Sequence, residues 1–185
     1  MIDELLEDAR HRMHQTIEMF RHDLAGMRTG RATVGLLDGI RVDYYGTQTP
    51  LNQVGNLSVP EPTLIQVQPW DAKLLPVIEK AIRVSDLDLN PQNDGKIIRI
   101  PIPPLTEERR KQLVKHSHKQ AEEARIAIRN VRRDANDHLK KALKEHEVSE
   151  DAEKRALAEV QKLTDAHIEK IDELSKAKEE EILQV

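Results

Sequence analysis

The chain has 185 residues, of which 34% are charged, 38% apolar and 2% aromatic, with a formal charge of −4 and no cysteine. The length suits one large or two small domains, and the charge excess points to long, thin, well-solvated elements around an aliphatic core. Disulfides, thiolate metal sites and cysteine nucleophiles are excluded, no stretch approaches the roughly 20 apolar residues of a membrane span, and the Met-Ile-Asp-Glu start has neither part of a signal peptide, so a cytoplasmic, cofactor-free protein is expected.

The first element is a helix from Ile2 to about Met27. Leu6, Ala9, Met13, Ile17, Phe20, Leu24 and Met27 recur at three- and four-residue steps, and Gly30 is expected to end it. His11, His14, Glu18 and His22 share one side of this helix. They have the chemistry of metal ligands but form no closed set, so an outward polar face is expected and no metal site is assigned.

From Arg31 to Pro104 the pattern changes, because all nine prolines and five of the seven glycines lie there. Ile40–Tyr44 alternates apolar with polar residues, as a half-buried strand does. Gly46 and Pro50 punctuate the chain, and Leu57–Val59 and Thr63–Val67 read as further strands. Asp71 caps an expected helix to about Arg83 with a face of Leu74, Leu75, Ile78 and Ile82, although Pro76 lies late for a first turn. Asn90-Pro91 and Asp94-Gly95 make turns before a last strand, Ile97–Ile102.

Thr106 opens a second helix that reaches about Glu147, roughly 60 Å at 1.5 Å per residue. Its seam is Leu113, Ser117, Ala121, Ala124, Ile128, Val131, Ala135, Leu139 and Ala142. Ser149 caps a third helix with Ala156, Val160, Leu163, His167, Ile171 and Leu174 inward, His167 as a packed core histidine. Three one-sided helices must bury their stripes against one another, which implies a three-helix bundle. The expected class is α+β, mainly α: a bundle of 1–30 and 105–185, with an inserted β/α/β domain of 31–104. Two chain crossings form a hinge at Gly30, Arg31, Pro103 and Pro104, and the expected molecule is L-shaped.

Charge is distributed in blocks. Thr106–Ala135 carries 9 Lys/Arg against 5 Asp/Glu, whereas Lys144 to the end carries 7 against 13. Within the basic block, Arg125, Arg129 and Arg132 fall within about 60° of one another, read as opposite the seam, with Arg133 on the shoulder. Such a row matches phosphate oxygens and releases counterions on binding. A solvated face balanced by Glu122, Glu123 and Asp134 is the alternative. Arg109 and Arg110 extend the basic character toward the hinge, and Arg28 and Arg31 flank Gly30. With few aromatics to stack on, structured RNA or an acidic protein patch fits better than single-stranded nucleic acid. No nucleophile motif, P-loop or dinucleotide fingerprint occurs, so no catalytic residue is assigned and a non-enzyme is expected.

Several strings then carry a resemblance. Arg28-Thr29-Gly30-Arg31-Ala32, Asp43-Tyr44-Tyr45-Gly46, Thr49-Pro50-Leu51, Ile78-Glu79-Lys80-Ala81-Ile82, Ser85-Asp86-Leu87 and Leu89-Asn90-Pro91 occur in order. They continue with Pro103-Pro104-Leu105-Thr106-Glu107-Glu108-Arg109-Arg110 and Ile128-Arg129-Asn130-Val131-Arg132-Arg133-Asp134-Ala135. Together they resemble the ribosome recycling factor family over nearly the whole chain. One departure is Asp88, where many relatives have glycine. The resemblance implies a monomer that binds the post-termination 70S ribosome on ribosomal RNA, lying across the A and P sites of the large ribosomal particle. With elongation factor G and GTP it would split the ribosome and release messenger RNA and deacylated transfer RNA, initiation factor 3 then preventing the two halves from rejoining. It also implies RNA contacts at Arg28, Arg31, Arg110, Arg129, Arg132 and Arg133. The competing classes are a coiled-coil interaction scaffold and an enzyme acting on RNA.

Overall fold

Apolar residues at helical spacing carry α1 from Ile2 to Ala25 in a computed structural model, which describes residues 1–184. Gly26, still right-handed at φ −73°, closes the helix with its N–H on the His22 carbonyl at 3.1 Å, and the Met27 N–H reaches that of Leu24 at 3.1 Å. The helix therefore stops earlier than the expected Gly30 terminus. Gly30 instead sits in the left-handed region at φ +77° in the chain that follows.

The other long helices are α3, Glu107–Lys144, and α4, Glu150–Leu183. All nine seam residues expected on α3 are buried, and they are the only residues of that helix that are. On α4 the seam is more polar than its spacing suggested. Ala156, Val160 and Ile171 are buried as expected, but Thr164 and Ser175 are buried too, while Leu163, His167 and Leu174 are half-buried. Two of the buried hydroxyls are satisfied within their own helices: Thr164 Oγ1 donates to the Val160 carbonyl at 2.8 Å and Ser117 Oγ to the Val114 carbonyl at 2.8 Å. That internal hydrogen bond is why a hydroxyl can occupy an apolar seam without an orphaned donor.

α1, α3 and α4 share one aliphatic core centred on Met13, Ile17, Phe20, Ile128, Val131, Val160 and Ile171. Arg12 on α1 meets Asp134 on α3 at 2.8 Å, and Arg125 and His118 on α3 meet Asp172 and Glu179 on α4. The latter pairs descend in one sequence as they rise in the other, so α3 and α4 are antiparallel. Burying one Ile or Leu side chain contributes about 1.5–3 kcal/mol, against at most about 1 kcal/mol for an exposed ion pair. The seam therefore holds the bundle, and the ion pairs set register.

The turn between α3 and α4 is a Schellman motif. The Glu147 N–H reaches the Ala142 carbonyl at 2.9 Å and the His146 N–H reaches that of Leu143 at 3.0 Å. His146 adopts φ +59°, a position usually filled by glycine. The helix thus ends at Lys144 rather than at the expected Glu147, and Ser149 Oγ caps α4 by accepting the Ala152 N–H at 3.2 Å.

Residues Gly30–Thr106 form a second compact unit, separate from the unit of Met1–Thr29 and Glu107–Gln184. Strands β1 (Arg41–Tyr44) and β2 (Thr47–Pro50) make a hairpin whose two-residue loop, Tyr45-Gly46, has φ of +50° and +82°. Positive φ at both loop positions matches the right-handed strand twist. β2 was not anticipated, because its Thr-Gln-Thr-Pro has no buried side to produce alternation. Strands β3 (Gly55–Glu61), β4 (Leu64–Pro69), β5 (Gln92–Asn93) and β6 (Ile98–Pro101) form an antiparallel sheet in the order β3-β4-β6-β5. The expected single helix from Asp71 divides in two: a 3₁₀ turn at Ala72–Leu74, capped by Asp71, and α2, Leu75–Arg83. The division places Pro76 in the first turn of α2, where its missing N–H costs nothing. Ile65, Val67, Ile78, Ile82, Ile98 and Ile100 are fully buried in this unit's own core.

Candidate nucleic-acid interface

The basic row of α3 is divided by its acidic neighbours. Arg125 bridges to α4 through Asp172, Nε at 2.8 Å and Nη2 at 2.7 Å, and its Nη1 reaches Glu122 Oε2 at 3.1 Å. Arg129 donates to the other Glu122 oxygen at 2.6 Å. Hydrogen bonds from Arg129 and then Arg125 hold the Glu122 carboxyl below its ordinary value. Burial works against the Arg125 charge, but Asp172 and Glu122 outweigh it and raise its pKa. Arg125 is thus an interhelical clasp.

Asp134, the acid nearest in sequence to the distal arginines, turns to Arg12 of α1 instead. Among the described residues, neither Arg132 nor Arg133 has a carboxylate within salt-bridge reach. The balanced-face alternative therefore holds for Arg125, partly for Arg129, and fails for Arg132 and Arg133.

One expectation needs correction. Arg125, Arg129 and Arg132 do not lie opposite the seam: all three are half-buried on its flank, while Arg133 is exposed. On a helical wheel the buried seam centres about 60–120° from those three and about 160° from Arg133. The outward face of α3 in this region carries Arg133 together with Asn130 and Asp137.

The remaining candidates lie elsewhere. Arg110 is in the first turn of α3, about 30 Å along the axis from Arg132. It is half-buried, and its Nε is enclosed without a hydrogen-bond partner. Arg28 is exposed just beyond α1 and next to Thr29, whose hydroxyl donates to Glu181 of α4 at 3.2 Å. Arg31 is exposed in the α/β unit. The structure groups Arg129, Arg132 and Arg133, and places Arg110 far along the same helix. On α1, His11, His14, Glu18 and His22 are exposed, and among the described residues no three His, Asp or Glu side chains are arranged to hold a metal ion.

A family model described as ribosome recycling factor matches residues 20–183. The chain belongs to the ribosome recycling factor family. It is 54% identical over its full length to the ribosome-recycling factor of Symbiobacterium thermophilum and 55% identical to that of Carboxydothermus hydrogenoformans, each relative also covered in full. Its fold matches a solution structure of ribosome recycling factor with a TM-score of 0.80 and 45% identity, covering 100% of this chain and 98% of the other. A second match, at TM-score 0.65 and 52% identity over 99% of each chain, is the Thermus thermophilus factor set beside Escherichia coli elongation factor G on a post-termination complex. The family is one of non-enzymatic translation factors that act in ribosome recycling, and the helical bundle with a small β domain is its fold.

Proposed function

We propose that this chain binds the post-termination bacterial ribosome across the A and P sites of the large ribosomal particle, with Arg129, Arg132 and Arg133 on ribosomal RNA phosphates. Arg28, Arg31 and Arg110 supply further RNA contacts. The observation that carries this reading is the pair Arg132 and Arg133, adjacent cations left without a carboxylate partner on a helix whose neighbouring Arg125 is tied to Asp172 and Glu122 and whose Arg129 only shares Glu122. Two such side chains add a steep dependence on salt, since each phosphate neutralised releases counterion. With elongation factor G and GTP the chain splits the ribosome into its two halves, releasing messenger RNA and deacylated transfer RNA. The free energy comes from the partner GTPase, so no catalytic group is needed here. The chain acts in the cytoplasm as a monomer, and initiation factor 3 follows it by preventing the halves from rejoining.

The chain passes between its two units twice, near Gly30–Arg31 and near Pro103–Pro104, and these crossings serve as a hinge between a bundle domain of 1–30 and 105–185 and an inserted domain of 31–104. A 38-residue helix is about 57 Å long and suits the transmission of force. The test is a ribosome-splitting assay on post-termination complexes with elongation factor G and GTP, alongside co-sedimentation with large ribosomal particles. Splitting by the intact chain, lost with Arg132→Glu/Arg133→Glu, supports the reading; full splitting by that variant, or no co-sedimentation at low salt, refutes it. Shortening both crossings leaves co-sedimentation intact and impairs splitting, and unchanged splitting removes the hinge from the mechanism.

A further inference from the structure

Helix α2 has more apolar surface than its core needs. Leu75, Ile78 and Ile82 face inward, yet Val77, Ala81 and Val84 form a second stripe at i, i+4 and i+7. Val84 is 71% exposed and Val77 38%. A short helix covered on one side gains nothing in stability from valines on its open side, where they cost solubility.

That stripe forms one wall of a groove whose other wall is β1 and the turn before it. Two adjoining hollows of about 490 and 460 Å³ meet at Arg41, Ala81 and Val84. The charges lining them are Arg41, Lys80, Asp43 and Asp86. Asp43 is occupied at one end, accepting the Gly46 N–H at 2.8 Å within the hairpin turn. Asp86 lines only the first hollow, whereas the second, which takes in all of Val77, Ala81 and Val84, has Arg41 and Lys80 against Asp43 alone. Arg41 and Lys80 are both exposed and have no carboxylate within salt-bridge reach among the described residues.

We infer that this groove docks an acidic amphipathic helix of a partner protein. Its apolar residues, repeating at the same helical spacing, seat on Val77, Ala81 and Val84, and its carboxylates meet Arg41 and Lys80. The ridge on α2 supplies the i, i+4, i+7 anchors of helix-in-groove recognition. The two unpartnered cations select the sign of the partner and the orientation of its helix. A nucleic acid fits poorly, because an apolar wall offers nothing to a phosphate backbone. This surface stands independently of the arginines on α3 and of the ribosomal reading.

The experiment is a titration of the ¹⁵N-labelled full chain with a 16-residue synthetic peptide. The peptide carries leucines at positions 3, 7, 10 and 14 and glutamates flanking them, with a control in which each glutamate is lysine. The expected result is a set of amide shifts confined to residues 36–48 and 75–87, with at least fivefold weaker binding of the lysine peptide. Val84→Asp is expected to weaken the glutamate peptide at least tenfold, and Arg41→Glu/Lys80→Glu likewise. All three side chains are exposed, so melting temperature checks that each variant is folded; should Val84→Asp unfold, the charge-reversal pair decides alone. Shifts that are absent or scattered over the surface, equal affinity for both peptides, or a chain that self-associates through Val84 in sedimentation would each overturn the inference.

Discussion

Whether an arginine is available to a ligand depends on where neighbouring carboxylates point, and the sequence shows that poorly. The row on α3 was legible from spacing alone, but its division was not: Asp172 lies 47 residues from Arg125, and Asp134 turns from its own helix to Arg12. Arg132→Glu is therefore expected to weaken binding to the large ribosomal particle and reduce its logarithmic salt slope by about 1, with melting temperature nearly unchanged. Arg125→Gln should do the reverse, lowering stability by about 1 kcal/mol through the lost clasp while mainly sparing binding. Parallel sedimentation and thermal melts distinguish the two. A different residue contributes to the pH dependence of the α/β unit. Asp94 accepts the Ile97 and Lys96 N–H groups and pairs with Arg99, which holds its pKa at about 2, down from 3.8. Since the folded pKa is the lower one, this stabilisation is complete above the ordinary carboxylate range and drains away as pH falls from about 4 toward 2. In denaturation at pH 5 and pH 2.5, Asp94→Asn should lose less stability on acidification than the parent chain; equal losses would show that Asp94 is not the group responsible.

At the level of elements, periodicity was sufficient where burial is one-sided and insufficient where local geometry decides. All nine inward residues of α3 follow from three- and four-residue steps. The ends of α1 and α3 did not follow, because Gly26 closes its helix while right-handed and His146 takes the left-handed position without being glycine. Asp88 likewise stands at φ +54°, a left-handed position that favours glycine and that a short polar side chain can also adopt. These strained positions are open to improvement. Replacing His146 with glycine relieves the left-handed conformation within the Schellman turn and should stabilise the bundle by about 0.5–1 kcal/mol, read as a higher midpoint in chemical denaturation. An unchanged or lower midpoint would mean that the imidazole contributes more than its backbone strain costs.

Across the whole molecule, two aliphatic cores lie in two units, one built from three long helices and one from a sheet and a short helix. Composition foretold the aliphatic character of both, and every proline falls within the α/β unit. The single tryptophan, Trp70, belongs to the α/β unit and is 65% exposed, so its fluorescence reports that unit while far-UV circular dichroism is dominated by the bundle. Ile78→Ala removes a fully buried side chain and should cost about 2–5 kcal/mol. The fluorescence transition is expected to move to lower denaturant well ahead of the dichroism transition; coincident shifts would make the two cores one cooperative block. The order of the elements also bears on how the chain is born. α1 leaves the translating machinery first, but the two helices that cover Met13, Ile17 and Phe20 are encoded only after the insertion. At about 5–20 residues per second, that stripe waits on the order of ten seconds for its companions, making the nascent N-terminal segment the part of this protein most in need of a chaperone.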